Sequence, residues 1–476
     1  MKKLLTIVIS ILLVLFLGGC DLLVAPPKTL EEEVSLVFWH SYTGEEAKML
    51  AENTQTFNEE YGQQQKVSVV LQYYPREEIA QKLANGETPD LFLSTDNLAF
   101  EFADTLAYYP IEDVFAKTRI KDIFASILED GNFYGDEKHY LYPLTCNTTM
   151  FYIDIMAWNA FKEGILGGGY SSVMFDELQD WKAIAKASSV YNNWTDRATP
   201  DVREDGGAFF AIEDVSTFMY LDAVQRGYNL ITFDDAGVPR VNFPASSAKL
   251  VWDYIYGNTL AGRFLLTEGV PFAAVESGQA MAYVDAARNL NNFGAHDRLN
   301  VYYSPFHIDT SGIVLADVAS VAIVDKGENR AIGASIYLNW LCAEERIVPF
   351  AALSYSVPVY KNIIKSNTLK DFINTKANSD DETDWQISET LGVQKHHLEY
   401  CYCYSLPKIK NAPAFLQLLG RDLKQIAMQD RAECTQRLAQ GELMRNITPT
   451  LDTQQKFNDW YTTLKQEMEA FLAQNQ

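Results

Sequence analysis

Three β-rich segments alternate with two amphipathic segments near the start of the chain, and this order constrains the fold more than any other feature. Residues 34–39, 67–73 and 89–93 are rich in Val, Leu and aromatic side chains, which is typical of buried strands. Residues 47–61 and 77–84 carry apolar side chains at steps of three and four, as a helix with one buried face requires. The βαβαβ order predicts an α/β fold with a mainly parallel sheet flanked by helices.

This sheet also predicts where a ligand would bind. Open α/β sheets bind ligands beyond the carboxyl ends of their strands, so we expect the loops after Trp39, Tyr73 and Leu93 to face a binding site. The chain has 476 residues, which is more than one hydrophobic core usually serves. Two lobes or domains are therefore expected.

The charge balance argues against one class of partner. The chain has 39 Lys and Arg residues against 63 Asp and Glu residues, a net charge of -24. A phosphate backbone attracts the opposite sign of charge. We therefore expect no nucleic-acid partner.

The sequence lacks the short motifs of the common enzyme and cofactor sites. It has no phosphate-binding loop, no dinucleotide-binding GxGxxG after the first strand, no HExxH and no GxSxG motif. His396, His397, Cys401 and Cys403 are close in sequence, but their spacing fits no zinc-ligand pattern. We expect no enzyme activity, no cofactor and no metal site.

The N-terminus is similar to that of a bacterial lipoprotein. Two lysines precede an apolar run over residues 4–17, which has the length of a signal-peptide core. The run ends in Leu-Gly-Gly-Cys20, which resembles a lipobox. We expect residues 1–19 to be removed, Cys20 to be lipidated and residues 20–33 to form a tether. The protein would then be exported and lipid-anchored to the outer face of the cytoplasmic membrane, or in the periplasm; an ordinary signal peptide that contains a cysteine is the alternative.

Several blocks along the chain resemble bacterial extracellular solute-binding proteins of the sugar-binding type, the family that includes maltose-binding protein. Residues 81–90 resemble the family's helix-to-strand segment that ends in Gly-x-x-Pro-Asp, and residues 141–154 resemble the stretch that crosses between lobes. Residues 175–178, 276–283 and 338–359 resemble three further family blocks in the same order. About a hundred residues follow the last block.

The resemblance implies a two-lobed periplasmic-binding-protein fold of type II, each lobe a mainly parallel sheet flanked by helices. The chain would cross between lobes at hinges. We expect one lobe to contain residues 34–145 and 304–344. The second would contain residues 146–303 and 345–476, the latter with extended C-terminal helices.

The same resemblance implies a function. A lipid-anchored solute-binding protein of this type captures a carbohydrate between its lobes and delivers it to the transmembrane subunits of an ABC importer. We expect a monomer that contacts the membrane only through its lipid. Two alternatives remain open: a sensor or adhesion receptor on the same fold, and an extracellular enzyme that acts on glycosides with a carboxylate pair such as Asp96 with Glu213 or Asp285.

Sugar-binding sites combine aromatic platforms with hydrogen-bonding side chains, because sugar rings have apolar faces and polar rims. Trp39 could instead be a core residue, Arg288 could pair with Asp285 or meet an acidic sugar, and Asp90 is expected to be structural. The candidate ligand contacts lie on the strand ends and crossings that the resemblance brings to the cleft: Trp39, His40, Asp96, Thr145, Asn147, Glu213, Phe218, Tyr283, Asp285, Arg288 and Tyr355.

Overall fold

A computed structural model describes residues 30, 32–168, 178–198, 202–292, 299–305 and 312–475. Cys20, the signal peptide and most of the tether lie outside the described residues, as do residues 175–177 of one family block. The predicted βαβαβ unit is confirmed. It consists of β1 (Val34–His40), α1 (Gly44–Thr56), which continues as a π-helical turn (Phe57–Gly62) and α2 (Gln63–Gln65), β2 (Val67–Tyr73), α3 (Arg76–Ala84) and β3 (Leu91–Ser94). Strands β2, β1 and β3 are parallel neighbours in that order.

The remaining elements follow in chain order. The strands are β4 (Leu141–Asp154), β5 (Phe210–Ile212), β6 (Ile231–Phe233), β7 (Pro239–Val241), β8 (Phe264–Leu266), β9 (Ala282–Ala286), β10 (Leu299–Tyr302), β11 (Ile313–Ile323), β12 (Val357–Pro358) and β13 (Tyr402–Tyr404). The helices before β11 are α4 (Leu98–Glu101), α5 (Lys117–Asp122), α6 (Ala125–Leu128), α7 (Ile155–Gly168), α8 (Trp181–Ala198), α9 (Val215–Gln225), α10 (Ala245–Leu260) and α11 (Pro271–Glu276). Those after it are α12 (Glu328–Leu341), α13 (Glu344–Ala352), α14 (Lys361–Ile364), α15 (Asn367–Ala377), α16 (Glu382–Tyr400), α17 (Ala412–Ala439), α18 (Met444–Leu451) and α19 (Gln454–Gln474).

Strand β4 belongs to both halves of the molecule. Its first half, up to Thr148, pairs antiparallel with β11, and its second half, from Thr149, pairs with β9 and β10. All fourteen residues of the strand are buried, because helices and loops of both halves cover it. The strand order β2-β1-β3-β11-β4-β9-β5-β8 therefore contains two sheets that meet at Thr148 and Thr149.

Two large hydrophobic cores accompany the two sheets. The first contains Leu36, Leu91 and Val321 around β1, β3 and β11. The second contains Phe210 and Ile153 and extends to the C-terminal helices α17 to α19. In α19, an apolar stripe from Phe457 to Leu472 is buried in this core, and Thr453 caps the helix by accepting a hydrogen bond from the Lys456 N–H at 3.2 Å.

The expected division of the chain assigns residues 345–403 to the second lobe, whereas many of their buried side chains lie in the first core. Ile347, Tyr360, Leu391 and Cys403 lie in the first core, not the second. The reason is that β12 pairs with β4 on its first-sheet half and β13 pairs with β11, so the intervening helices α13 to α16 cover the first sheet. After residue 403, the first side chain that is buried in the second core is that of Ile409. The last crossing is therefore near residues 403–409 and not near residue 345.

The cysteines that follow Cys20 form no disulfide bond. All five are free thiols, and Cys434 lies against the sulfur of Met444 at 3.3 Å. Within the described ranges no helix has the length and hydropathy needed to cross a bilayer.

Candidate functional site

A cleft of about 620 Å³ lies where the two cores meet. The first half of the molecule contributes Asp96 and Asn97, from the loop that follows β3, and the middle of β11. The second half contributes the start of α9 and the loop after β9. The crossing of β4, strand β13 and the first turns of α17 form the remaining walls. The cleft is thus at the carboxyl end of β3, as the βαβαβ order predicts, but no described residue of the loops after Trp39 and Tyr73, which were also expected to face it, lines it.

Asn147 stands at the crossing of β4 and lines this cleft. Its side-chain amide donates to the carbonyl oxygens of Ser354 and Tyr355 and to Oγ of Ser356, at 3.2 to 3.3 Å. Its Oδ1 accepts a hydrogen bond from the backbone N–H of Arg288 at 3.1 Å. Asn147 therefore ties the segment before β12 to the loop after β9, and its hydrogen-bonding capacity is used within the protein.

Arg288 lies beside Asn147 and forms an ion pair with Asp317 of β11. This pair joins the loop after β9 to the first sheet, so it spans the two halves across the cleft. The alternative pairing of Arg288 with Asp285 does not occur, because Asp285 accepts its hydrogen bonds from the Asn289 amide at 2.7 Å and from the Ala286 N–H at 2.8 Å. Asp317 was not among the candidates, since a single carboxylate in an otherwise apolar segment carries no sequence signal.

A side pocket of about 210 Å³ opens from the cleft between β5, β9 and α9. Glu213, Asp214 and Asp285 stand in its wall, and Trp181 and Phe218 form part of its apolar lining. Burial raises the pKa of Asp285 to about 6, and the charges of Glu213 and Asp214 act in the same direction. Burial also raises the pKa of Glu213. The three carboxyl groups are thus close enough to repel one another.

Asp96 faces the cleft from the first half of the molecule. Its backbone is left-handed, with φ of 50°, and its carboxylate lies 3.7 Å from Nε of Arg76. The next residue, Asn97, donates from Nδ2 to the carbonyl oxygen of Pro407 at 2.9 Å. This bond holds the loop after β3 against the last crossing segment.

Several cleft residues come from the C-terminal part of the chain or from positions without a sequence signal. Tyr220 on α9 and Tyr404 on β13 lie with ring centroids 5.9 Å apart, and both line the cleft. Burial raises the pKa of Asp130 to about 6, although the ammonium of Lys408 acts against this rise. Lys424 on α17 donates to the carbonyl oxygen of Glu213 at 2.7 Å. Only the pairing of β13 with β11 and the packing of α17 on α9 bring these residues to the cleft.

The expected contacts divide into three groups. Asp96, Asn147, Glu213 and Arg288 line the main cleft, and Asp285 and Phe218 line the side pocket. The other five do not line either cavity: Trp39, His40, Thr145, Tyr283 and Tyr355. Each of the five is at most 5% exposed.

The buried candidates have internal partners instead. The Trp39 indole donates to Oε1 of Gln72 at 2.8 Å, so its core alternative is the one that the structure supports. Tyr283 stacks on Tyr152 with ring centroids 4.8 Å apart. Burial lowers the pKa of His40, whose ring stacks on Tyr42. Thr145 lies in β4 between β11 and β12, where it pairs with Ala319 and Pro358. Tyr355 is a left-handed residue whose carbonyl oxygen accepts bonds from Asn147 and Gln394.

The expected absence of a metal site can be examined only where side chains are described. There, no three His, Cys, Asp or Glu residues are grouped so that they could hold an ion. His397 illustrates this, because both of its ring nitrogens are engaged within the protein, one near Oγ1 of Thr148 and the other with the backbone N–H of Ser304.

The chain is similar to known proteins in its family model and in its fold. Residues 54–377 match the family model of bacterial extracellular solute-binding proteins. No curated protein matches the chain. Among solved structures, the cyclic alpha-maltosyl-1,6-maltose binding protein of Arthrobacter globiformis is 13% identical with a TM-score of 0.63, over 92% of this chain and 99% of that chain.

Two further solved structures are similar over most of their length. The sugar-binding protein MalE of Xanthomonas citri is 16% identical with a TM-score of 0.61, over 86% of this chain and 96% of that chain. An ABC substrate-binding protein of Listeria monocytogenes, in complex with cycloalternan, is 12% identical with a TM-score of 0.57, over 89% of this chain and 100% of that chain. At these identities the likeness establishes the fold, and the predicted two-lobed α/β architecture is confirmed.

Proposed function

Because the chain belongs to the family of bacterial extracellular solute-binding proteins, we propose that it captures a carbohydrate between its two lobes and delivers it to an ABC importer. The observation that carries the proposal is the cleft of about 620 Å³ lined by both halves of the molecule. This volume is within the range of small-molecule sites in proteins. The names of the three structural neighbours describe a cyclic maltosyl-maltose, a sugar and cycloalternan as what those proteins bind, which supports a carbohydrate here.

The side chains around the cleft suit a sugar. Tyr404 supplies aromatic surface against which the apolar face of a sugar ring can pack, and the buried ring of Tyr220 packs against it. Asp96, Asp130 and Glu213 supply carboxylate oxygens that accept hydrogen bonds from hydroxyl groups. Each buried hydroxyl needs such a partner, since an unsatisfied polar group costs about 1–3 kcal/mol.

Closure of the lobes follows from the position of these groups. A solute that touches Asp96 in the first half and Glu213 in the second makes more contacts when the lobes are closed than when they are open. A ligand shifts a conformational equilibrium only by its difference in affinity for the two states. The loaded protein would then present a closed surface that the transmembrane subunits of the importer recognise.

The proposal also covers where the protein is located and in what state it acts. We propose that Cys20 carries the lipid that holds the protein at the outer face of the cytoplasmic membrane or in the periplasm. The protein would act as a monomer, without a cofactor and without turning over its sugar. The family consists of solute-binding proteins, which supports binding in preference to catalysis.

The test is thermal unfolding of the chain from residue 21 to 476, which keeps every described residue, against mono- and oligosaccharides, polyols and sugar phosphates. Binding to the native state at a hundred times the dissociation constant stabilises it by about 2.7 kcal/mol. We expect one class of sugar to raise the unfolding midpoint while chromatography detects no product. A flat response to every carbohydrate contradicts the proposal, and release of a new reducing end would indicate a glycoside-acting enzyme.

A further inference from the structure

We propose that the cleft selects against anionic sugars and that its side pocket takes a protonated amine of the solute, so that an amino sugar binds more tightly than its hydroxyl counterpart. This inference rests on the proposed function, because it assigns a chemical class to the solute of the same cleft.

The side pocket has an excess of negative charge. Glu213, Asp214 and Asp285 stand in its wall beside one cation, Arg288, which pairs with Asp317. None of the three carboxylates forms an ion pair with a described Lys or Arg side chain. Asp214 accepts hydrogen bonds from the N–H and hydroxyl of Thr217, the N–H at 2.9 Å. Asp285 accepts from Asn289 and Ala286. These neutral donors satisfy oxygen lone pairs but leave the charge uncompensated.

The basic side chains that line the cleft are engaged elsewhere. Arg288 pairs with Asp317, and Arg421 donates to both carboxylate oxygens of Glu467 at 2.8 and 2.9 Å. Lys424 donates to the carbonyl oxygen of Glu213 and offsets part of that residue's charge. Lys424 forms no ion pair with a described side chain, but the lining of the main cleft still carries more carboxylates than basic side chains: Asp96, Asp130, Glu213, Asp214 and Asp317 against Arg288, Arg421 and Lys424. An anionic sugar would meet like charges, which costs affinity.

The apolar lining strengthens the effect of the carboxylates. Trp181 and Phe218 are at most 6% exposed, with ring centroids 4.9 Å apart, and Phe210 adds a third ring. Charges interact more strongly beside apolar walls than in water, because the local dielectric constant is lower. An ammonium group in this pocket would gain charge-assisted hydrogen bonds to Glu213 or Asp285, and nearby aromatic rings also favour a cation.

Matched sugars provide the test. Isothermal titration calorimetry would compare the protein with glucose, glucosamine, glucuronate and glucose 6-phosphate, and with cellotriose and the β-1,4 glucosamine trimer, which differ only in their 2-hydroxyl and 2-amino groups. Maltotriose serves as a neutral trisaccharide with α-1,4 instead of β-1,4 linkages. We expect the amino form to bind about tenfold more tightly than its hydroxyl counterpart and both anionic forms to give no binding heat. A factor of ten corresponds to about 1.4 kcal/mol.

Variants locate the effect. Glu213→Gln and Asp285→Asn should each remove most of the preference for the amine. Asp253→Asn, on the exposed face of α10, changes the net charge equally and should leave the preference unchanged. A neutral sugar that binds without any preference for its amine, or an anionic sugar that binds as well as the neutral one, overturns this inference and leaves the proposed function standing. Failure of every carbohydrate to bind overturns the proposed function itself.

Discussion

The imidazole Nε2 of His397 accepts a hydrogen bond from the backbone N–H of Ser304, and the two atoms are 3.2 Å apart. A backbone N–H can only donate, so this ring nitrogen carries no proton and Nδ1 carries it instead. Nδ1 then donates to Oγ1 of Thr148 at 2.8 Å. A neutral imidazole on α16 thus joins the crossing point of β4 to the segment that follows β10.

The pKa of His397 makes this contact testable by pH. Burial lowers that pKa from 6.5 to about 3. The unfolded chain therefore takes up a proton near pH 6.5, whereas the folded protein does so only near pH 3, and stability falls as the pH falls between these values. At a pH near 5.5 we expect this titration to lower the unfolding free energy of the wild type by about 1.4 kcal/mol relative to neutral pH.

The matched variant is His397→Gln, which does not titrate. Urea unfolding at a pH near 7.5 should find the variant less stable than the wild type, because contacts to Thr148 and Ser304 are changed. At a pH near 5.5 the difference in unfolding free energy between the variant and the wild type should be smaller by about 1.4 kcal/mol. A difference that is the same at both pH values would mean that the folded protein binds the proton as readily as the unfolded chain.

Two helical glycines give opposite predictions for the same substitution. A Cβ on Gly420 of α17 would lie 2.4 Å from the backbone N of Ser216 and 2.6 Å from the backbone C of Val215, at the start of α9. Gly420→Ala must push the two helices apart, which we expect to cost about 1–3 kcal/mol in unfolding free energy and to weaken solute binding, because both helices line the cleft.

The control is Gly392→Ala in α16. A Cβ there meets no atom within 4 Å, so the helix should gain about 0.5–1 kcal/mol from the higher helix propensity of Ala. Denaturant unfolding of both variants checks the pair. Equal changes in unfolding free energy for the two variants would contradict the close approach of α17 to α9.

The carboxylate of Asp90 is a structural contact, as the sequence predicts. It is 3% exposed and accepts a hydrogen bond from the Val37 N–H at 2.8 Å. Arg330 donates to the same carboxylate from two nitrogens and to the carbonyl oxygen of Ser35. Arg330→Met leaves this buried charge without its cation, and we expect a loss of roughly 2–3 kcal/mol in unfolding free energy.

An exposed ion pair serves as its control. Lys465 and Glu469 on α19 are 4.0 Å apart and both about half exposed. Lys465→Met should change the unfolding free energy by less than about 0.5 kcal/mol, because exposed pairs contribute little. If Arg330→Met changes the unfolding free energy as little as Lys465→Met does, the Asp90 carboxylate is better hydrated than its burial indicates.

The ion pair of Arg288 with Asp317 predicts an effect on binding. The pair spans the two halves of the cleft, so Arg288→Met would leave the Asp317 carboxylate facing the solute without its partner. We expect a loss of about tenfold in affinity for a neutral sugar, because the loop after β9 is no longer tied to β11 across the cleft. This loss equals about 1.4 kcal/mol and is measured by calorimetry. Arg240→Met, on the exposed β7 strand, should bind as the wild type does, and a similar loss there would exclude a local cause.

The predictable parts of the fold are those whose signal is local. The βαβαβ unit was predictable because its strands and helices bury continuous apolar faces, for example Leu36 and Phe38 of β1. The last crossing was not, because Leu391 and Leu398 fit an apolar helix face against either sheet. The short pairings of β12 with β4 and of β13 with β11 place them in the first core.

The same distinction applies to the cleft. Asp96 follows the third predicted strand, and Glu213 was expected from the family resemblance; both line the cleft. Tyr404 and Lys424 reach the cleft through the packing of β13 and α17, which no local sequence pattern predicts. Tyr283 and Tyr355 were expected to touch the ligand, yet they pack against Tyr152 and Gln394 below the cleft surface, because residues beside a crossing can face either the cleft or the core.

Small-angle X-ray scattering of the chain from residue 21 to 476 tests the central claim most directly. The claim is that a carbohydrate is captured between two lobes, so the sugar that raises the unfolding midpoint should also make the molecule more compact. We expect the radius of gyration to decrease when that sugar is added at saturation, and to stay unchanged with a sugar that does not bind. An unchanged radius of gyration at full saturation would contradict capture by closure.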